Sequence, residues 1–299
     1  MAANNPDKCL ITFWGTRGSI PTPGRATEKY GGNTPCVSAR HGDHIVIFDA
    51  GTGIRGLGLE LADEIATKQE ALPIYLFLSH THWDHIQGLP FFTPVYIPET
   101  HLTIFGSANA GGPLSEVLMG QMNPTYFPID MSNLAANIAV HELKEQTITV
   151  GQMQVSWQQQ LFHPGGTVRY ALEIDGKKFV YASDVELDFA FDPDNPSEDA
   201  AKAAQEYLDF VAGADLLIAD GQYTDSEYES KKGWGHTSLS VLFDAAHRAK
   251  VKKLAVFHHE PLFSDSYIDQ LYAQYGRKYY EADPPMKIFW SREGTTLSL

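Results

Sequence analysis

An apolar stretch at residues 74–78 runs into Ser79 and then into four metal-competent side chains within six residues, His80, His82, Asp84 and His85. In extended backbone, residues two apart face the same side, so His80 and His82 can offer both imidazoles to one ion. Asp84 and His85 are adjacent and precede a helix-like stretch. The chain therefore turns between the two pairs, and the second pair is free to address a second ion close by. One such motif does not complete the coordination of an ion. The fold has to bring further ligands to the same place from remote parts of the chain.

The remaining histidines and aspartates separate by context. His163 follows an apolar-ended run at 158–162 and precedes Pro-Gly-Gly, a turn suited to pointing an imidazole into a cleft. Asp184 follows the strand-like run 178–181 through Ala-Ser, the same strand-then-ligand arrangement as at His80. His258 and His259 both follow the run 254–257, and either can serve as the ligand. His236 lies in Gly-Trp-Gly-His-Thr at the start of a helix, with Thr237 or Ser238 as its cap. His41, His44, His101, His141 and His247 have no such setting and read as ordinary surface or packed side chains.

Short apolar, β-branched or aromatic runs at 9–13, 44–48, 74–78, 102–105, 154–157, 170–174, 178–181, 215–219, 254–257 and 286–290 read as strands. Helical patterns lie at about 55–67, 113–122, 199–211, 237–250 and 265–280. Strands dominate early and helices become frequent later, which predicts a mixed α/β layer protein with two sheets. No repeat or linker divides the chain, so a single domain over 1–299 is expected, with FDPDNP at 191–196 a loop. At 43% hydrophobic and 20% charged residues, the chain can build a core and is not disordered. No run approaches the roughly 18–20 apolar residues of a membrane span. The first residues lack a basic stretch followed by a long apolar one, so secretion is not expected. Cys9 and Cys36 are too few for a disulfide scaffold or a cysteine-built zinc module, and the cytoplasm is the expected compartment.

The ordered set His80-x-His82-x-Asp84-His85, His163, Asp184 and His258 resembles that of the metallo-β-lactamase-fold hydrolases, in order and in strand-end placement. FWGTRGSIPTPG near the start, FDAGTG around Asp49 and GHTS around His236 resemble the ribonuclease Z and phosphodiesterase branch of that superfamily. The resemblance implies an α/β fold, an αβ/βα four-layer sandwich of two mixed sheets with a dinuclear metal site at one edge. It implies His80, His82 and His163 on the first ion, Asp84, His85 and His258 on the second, and Asp184 bridging both. His258 is preferred to His259 because it directly follows the strand. Asp49 resembles a family position that orients the site from behind the ligands. His236 resembles a histidine that contacts the scissile phosphate or protonates the leaving oxygen, a task suited to a group titrating near neutral pH. Two divalent ions, zinc with manganese or iron as alternatives, would convert a water between them to hydroxide near neutral pH. With only Asp84 and Asp184 as ligating carboxylates, the centre stays positive and favours an anionic phosphodiester. Asp84 and His236 are the expected catalytic residues.

Charge and spacing narrow the substrate. The formal charge is −15, and residues 184–230 hold 14 acids and one base, Lys202. Both ends of this acidic segment are tied to the site, by Asp184 and by His236, so it is expected near the cleft. There it would repel a polyanion and tolerate a small diester. Bacterial ribonuclease Z enzymes of the resembling kind carry a tRNA-gripping arm between the positions matching His163 and Asp184. Here that stretch is one apparent hairpin with no room for an arm. The expected function is hydrolysis of a small, cyclic nucleotide phosphodiester. The alternatives are RNA processing, or hydrolysis of a lactone, thioester or β-lactam on the same site. The insert 106–130 carries Tyr126 and Phe127, expected to wall a base-sized pocket by stacking. Arg17, in a Gly-rich turn, is expected to reach the substrate phosphate. No membrane partner is expected, long nucleic acid is disfavoured, and a homodimer is allowed.

Overall fold

Runs such as IVIF at 45–48 and LLIA at 216–219 show no polar alternation because both faces of these strands are buried. The computed structural model describes residues 8–107, 112–160, 162–192, 197–276, 279 and 281–299. The first part of the chain forms β1 (Leu10–Gly15), β2 (Cys36–His41), β3 (His44–Phe48), α1 (Ile54–Lys68), β4 (Leu72–Phe77), α2 (Trp83–Ile86), β5 (Thr100–Gly106), α3 (Leu114–Gln121) and β6 (Asn137–Glu142). The second part begins with β7 (Thr147–Val150), β8 (Met153–Gln160), β9 (Thr167–Ile174), β10 (Lys177–Ala182), α4 (Leu187–Phe191), α5 (Glu198–Val211) and β11 (Leu216–Asp220). It ends with α6 (Asp225–Tyr228), α7 (Leu239–Arg248), β12 (Lys253–Phe257), α8 (Asp265–Tyr275), β13 (Lys287–Trp290) and β14 (Thr296–Ser298).

The strands form two seven-stranded sheets, ordered β14-β1-β2-β3-β4-β5-β6 and β13-β12-β11-β10-β9-β8-β7. Each joins an antiparallel half to a parallel one. The parallel halves are β3 to β6 in the first sheet and β10 to β13 in the second. Phe48, Phe77, Tyr170, Phe179, Tyr181 and Phe257 interleave between the sheets, with Phe48 and Tyr181 stacked at 5.5 Å. Ile45, Ile47, Ile74 and Leu76 face outward from the first sheet and are covered by Leu57, Leu61 and Ile65 of α1 and by Leu114 and Leu118 of α3. Leu57, Leu61 and Ile65 recur at helical spacing, which gives α1 its single apolar stripe. Val180, Leu217 and Leu254 face outward from the second sheet, beneath Tyr207 and Val211 of α5, Phe243 of α7 and Ile268 of α8. The architecture is the expected α/β four-layer sandwich, helices–sheet–sheet–helices.

All ten expected strands are present, with shifted ends. Four further strands went unread, and β6, β7 and β14 among them are edge strands, half-exposed and mixed in composition. β2 is central but carries polar side chains; its Ser38 Oγ accepts the Trp14 Nε1 hydrogen bond at 2.8 Å. α8 stops at Tyr275, short of the expected 280, with Gly276 at its C-cap; residues 277, 278 and 280 lie outside the described residues. Ser238 occupies the N-cap of α7 without a side-chain cap. Thr237 Oγ1 instead serves the segment before α4, donating to the Val185 carbonyl and accepting from Leu187 N–H. The insert 106–130 contains α3, with 108–111 outside the described residues, and of FDPDNP only Phe191 and Asp192 are described. No helix among the described residues is long and apolar enough to cross a membrane.

Candidate metal centre

Parallel neighbours end on one edge of a sheet, and ligands in such sheets bind beyond the carboxyl ends of the strands. Both sheets use that edge here. Asp49 follows β3, and the chain leaving β4 reaches His80 through Leu78 and Ser79. From the second sheet, Asp184 follows β10 through Ser183, Asp220 closes β11, and His258 follows β12 directly. Asp84 and His85 lie in the single turn of α2, and His163 lies between β8 and β9. Asp49, Asp184 and His258 have φ of 62°, 56° and 60°, a left-handed conformation that costs a non-glycine residue about 1–2 kcal/mol. The sharp turn takes each side chain off the strand and toward the cluster.

There the side chains converge. His80, His82 and His163 each place a ligand atom within 4.8 Å of the others, and Asp84, His85 and His258 form a second such group. Asp184 lies between the two. Its Oδ2 is 3.1 Å from His85 Nε2, and its Oδ1 is 3.4 Å from His258 Nε2 and 4.0 Å from His80 Nε2. Asp84 Oδ2 is 3.1 Å from His258 Nε2 and 3.3 Å from His85 Nε2. His82 Nδ1 and His163 Nε2 are 3.1 Å apart. Of the two histidines after β12, only His258 faces this cluster. His259 Nε2 pairs with the Ser291 carbonyl at 2.8 Å, and its ring meets Tyr30 edge-on.

Four of the five imidazoles, those of His80, His85, His163 and His258, are aimed from behind by a partner on Nδ1. Asp49, fully buried, accepts from Ser79 N–H at 2.7 Å, Ser79 Oγ at 2.8 Å, Tyr181 OH at 2.7 Å and His85 Nδ1 at 2.7 Å. His80 Nδ1 meets Ser79 Oγ at 3.1 Å, His163 Nδ1 donates to the Gly235 carbonyl at 2.9 Å, and His258 Nδ1 meets Gln222 Oε1 at 2.9 Å. Burial pushes His80, His82 and His163 below the usual imidazole range, which leaves neutral rings with a lone pair to give. At His85 and His258 burial acts the same way, but Asp184 and Asp84 outweigh it. They hold His85 well above the usual range and His258 at about 9. Burial likewise opposes the charges of Asp84 and Asp184, and the neighbouring imidazoles more than offset it. His80 Nε2 is buried without a hydrogen-bond partner, its nearest carboxylate oxygen being 4.0 Å away. Orphaned buried nitrogens are costly, and a convergent set of imidazoles and carboxylates is the donor set of divalent-ion sites. The residues present fit such ions.

His236 stands beside the cluster, its ring stacked on His258 at 4.9 Å. Its Nδ1 pairs with Asp220 Oδ2 at 2.7 Å, so Nε2 is the nitrogen left over. The sequence reading missed Asp220, although its signal, an apolar strand closing on a carboxylate, was the one used for Asp184. Glu186 was missed as well. Its carboxylate accepts from Tyr228 OH at 2.7 Å, Gly233 N–H at 2.8 Å and Gly235 N–H at 2.9 Å. It therefore holds the loop whose Gly235 carbonyl aims His163 and whose next residue is His236. No local pattern distinguishes Glu186 from its acidic neighbours.

Two expectations are corrected. Arg17 is fully buried, its guanidinium turned to backbone carbonyls and not to the cavity over the cluster. Its Nε and Nη2 donate to the Gly31 carbonyl at 3.2 and 2.9 Å, and Nη1 to those of Glu260 and Phe263 at 3.1 and 2.9 Å. Turn carbonyls without strand partners need donors, and the guanidinium supplies them. Tyr126 is 80% exposed and Phe127 packs edge-on against Phe91 at 5.5 Å. Neither lines the cavity of about 500 Å³ over the cluster, which is walled by Ser19, Thr81, His82, Trp83, Asp84, Asp184, His236 and His258. The acidic segment lies near the cleft only in part. Glu186, Asp188 and Asp220 act as internal acceptors, α5 with Glu198, Asp199, Glu206 and Asp209 packs on α4 and α7, and Asp194 lies outside the described residues. A second cavity, of about 820 Å³, borders the cluster at His163 and sets Asp192, Asp225 and Glu229, with Glu186 and Asp188 at its wall, against Lys232.

Two mixed sheets packed between helices, with a His/Asp cluster at their shared carboxyl edge, define a hydrolase of the metallo-β-lactamase fold. Residues 44–259 match the Beta-lactamase superfamily domain, and the chain belongs to that superfamily. It is 22% identical over 293 residues to ribonuclease Z of Pyrococcus furiosus, which covers 85% of this chain and 87% of that protein. It superposes on unliganded yeast PDE1 with a TM-score of 0.66 at 14% identity, over 98% of this chain and 100% of that one. A diphosphatase of the PhnP family superposes with a TM-score of 0.63 at 14% identity, over 98% of each chain. At these identities the structural likeness establishes the fold.

Proposed function

We propose that this chain is a dinuclear-metal phosphodiesterase acting on a small, cyclic nucleotide phosphodiester. The observation that carries the reading is the convergence of His80, His82 and His163 and of Asp84, His85 and His258 on either side of Asp184, with His236, held by Asp220, on the same cavity. His80, His82 and His163 would hold one ion, Asp84, His85 and His258 the other, and Asp184 both. Bound there, two divalent ions would supply the positive charge that acidifies water and neutralises the phosphate. The chain's own residues do the rest. Asp49, Tyr181 and Ser79 hold His85 in register, and Glu186 holds the loop that aims His163. Asp220 fixes the His236 ring, leaving Nε2 to hand a proton to the leaving oxygen.

Small substrates are favoured by what lies around the site. The whole of the chain between His163 and Asp184 is the β9–β10 hairpin with its tight Asp175-Gly176 turn, where the resembling nucleases carry an arm. The adjoining cavity is lined by five carboxylates and one lysine, a poor surface for a polyanion. RNA processing is the second reading, favoured by the ribonuclease Z relatives. Two free, buried cysteines suit a reducing compartment such as the cytoplasm.

The metal-loaded chain is expected to cleave bis-p-nitrophenyl phosphate and a cyclic nucleotide, and to lose that activity on chelation. His82→Ala should reduce turnover beyond the 10–100-fold typical of residues behind the ligands. His236→Ala should lower kcat about 10²–10⁴-fold with metal content unchanged by elemental analysis. Full activity after thorough chelation would sink the metal mechanism. Cleavage of a 3′-extended tRNA precursor more efficiently than either small diester would replace this reading by the second.

A further inference from the structure

Trp83 lies between two residues of the metal cluster, His82 and Asp84, yet its own side chain is 82% exposed. It opens the α2 turn, and its neighbours are held on both sides. Asp84 Oδ2 accepts from Ser19 N–H at 2.8 Å and meets His258, while His82 meets His163. The indole is therefore carried on backbone whose position is set by the cluster itself. It belongs to none of the three hydrophobic cores and makes no ring contact or hydrogen bond among the described residues. Trp234, another exposed tryptophan, is different, because Lys231 Nζ covers its ring at 4.0 Å. Among the residues lining the cavity over the cluster, Trp83 is the one apolar side chain, and all the others are Ser, Thr, His or Asp. A large aromatic left in water beside a polar site gives up the burial such a side chain usually gains, and packing does not demand it there.

We propose that Trp83 is the stacking platform for the flat aromatic group of the substrate, a nucleobase, while the phosphodiester sits at the cluster. This inference rests on the phosphodiesterase reading and names the residue that makes the substrate a nucleotide. Stacking uses the π-face that every base has, so Trp83 separates diesters with a base from those without and does not distinguish one base from another. It takes the part that the sequence pattern assigned to Tyr126 and Phe127.

The test pairs two five-membered cyclic diesters, adenosine 2′,3′-cyclic phosphate and glycerol 1,2-cyclic phosphate. In Trp83→Ala the preference for the adenosine diester, as a ratio of kcat/KM, should fall about tenfold or more, mainly through KM. Trp83→Phe should recover most of it, with metal content constant across all three proteins. Equal losses on both diesters, or an unchanged ratio, would overturn the proposal. A binding measurement stands apart from turnover: adenosine monophosphate titrated into the metal-loaded chain should quench tryptophan fluorescence, and Trp83→Phe should abolish that component. Absence of quenching overturns the stacking proposal. Quenching without turnover of either diester supports stacking and overturns the phosphodiesterase reading.

Discussion

At Gly18 a Cβ would fall 2.4 Å from His258 Nδ1, and at Gly235, with φ of +87°, 2.2 Å from His163 Nδ1. Two of the clustered imidazoles are thus seated against backbone that tolerates no side chain. The GTRGS turn matters for that reason. Gly18 lets His258 close in, and Arg17 beside it ties the turn to the carbonyls of Gly31, Glu260 and Phe263. A buried guanidinium bonded to three carbonyls is a structural cation, and removing it leaves those acceptors unsatisfied. Arg17→Ala should therefore destabilise the chain by about 3–5 kcal/mol in urea unfolding. KM of the folded fraction should be unchanged. A raised KM with unaltered unfolding would restore Arg17 as a substrate contact.

At the scale of elements, the site is a set of strand ends plus one loop held by carboxylates. Strand ends were readable because each apolar run closes on a polar residue, as at His80, Asp184 and His258. The loop 233–238 was readable only as a motif. Its conformation comes from Glu186 and Asp188 on the stretch leading into and opening α4, which accept from Gly233, Gly235 and Ser238 N–H groups. Such partners are distant in sequence and leave no local signature. Asp188 also carries a pH dependence of its own. Burial raises its carboxyl from 3.8 to about 6, against the hydrogen bonds from Ser238. A carboxyl raised on folding burdens stability when ionised, so the cost is absent below about pH 4, grows between pH 4 and 6, and is complete above. Asp188→Asn keeps an acceptor for Ser238 N–H and removes the charge. Its melting temperature should exceed the parent's at pH 7–8, by no more than about 3 kcal/mol in stability, and match it near pH 4. A gain of equal size at pH 4 would contradict this account.

Across the whole molecule, the cluster joins the two halves of the chain. His80, His82, Asp84 and His85 come from the first sheet, and His163, Asp184 and His258 from the second. Ions bound between them would be a tie across the sandwich, present only in the folded state. Adding zinc to the chelated chain should raise its melting temperature progressively. About 4 kcal/mol is expected at a thousandfold excess over Kd, a shift of about 6 °C for a chain of this size. The shift should shrink in His82→Ala. A melting temperature indifferent to zinc would remove the ions from the site.

The amino-acid sequence alone determined the ligand types, their order and their strand-end placement, and through them the layered fold. These are local properties: an apolar run, a turn, a metal-competent side chain. Tertiary structure alone turned His259 away from the cluster, paired Asp220 with His236, and turned Arg17 inward. It also divided the acids of 184–230 between internal acceptors, the α5 helix and the cleft. Each of those outcomes depends on which groups from distant segments meet in space. A guanidinium, a carboxylate or an indole has the same local pattern whether it faces the interior or the cavity. Trp83 shows the limit best: two residues of the most legible motif in the chain flank it, and only the cavity around it reveals an unpaired indole at the mouth of the site.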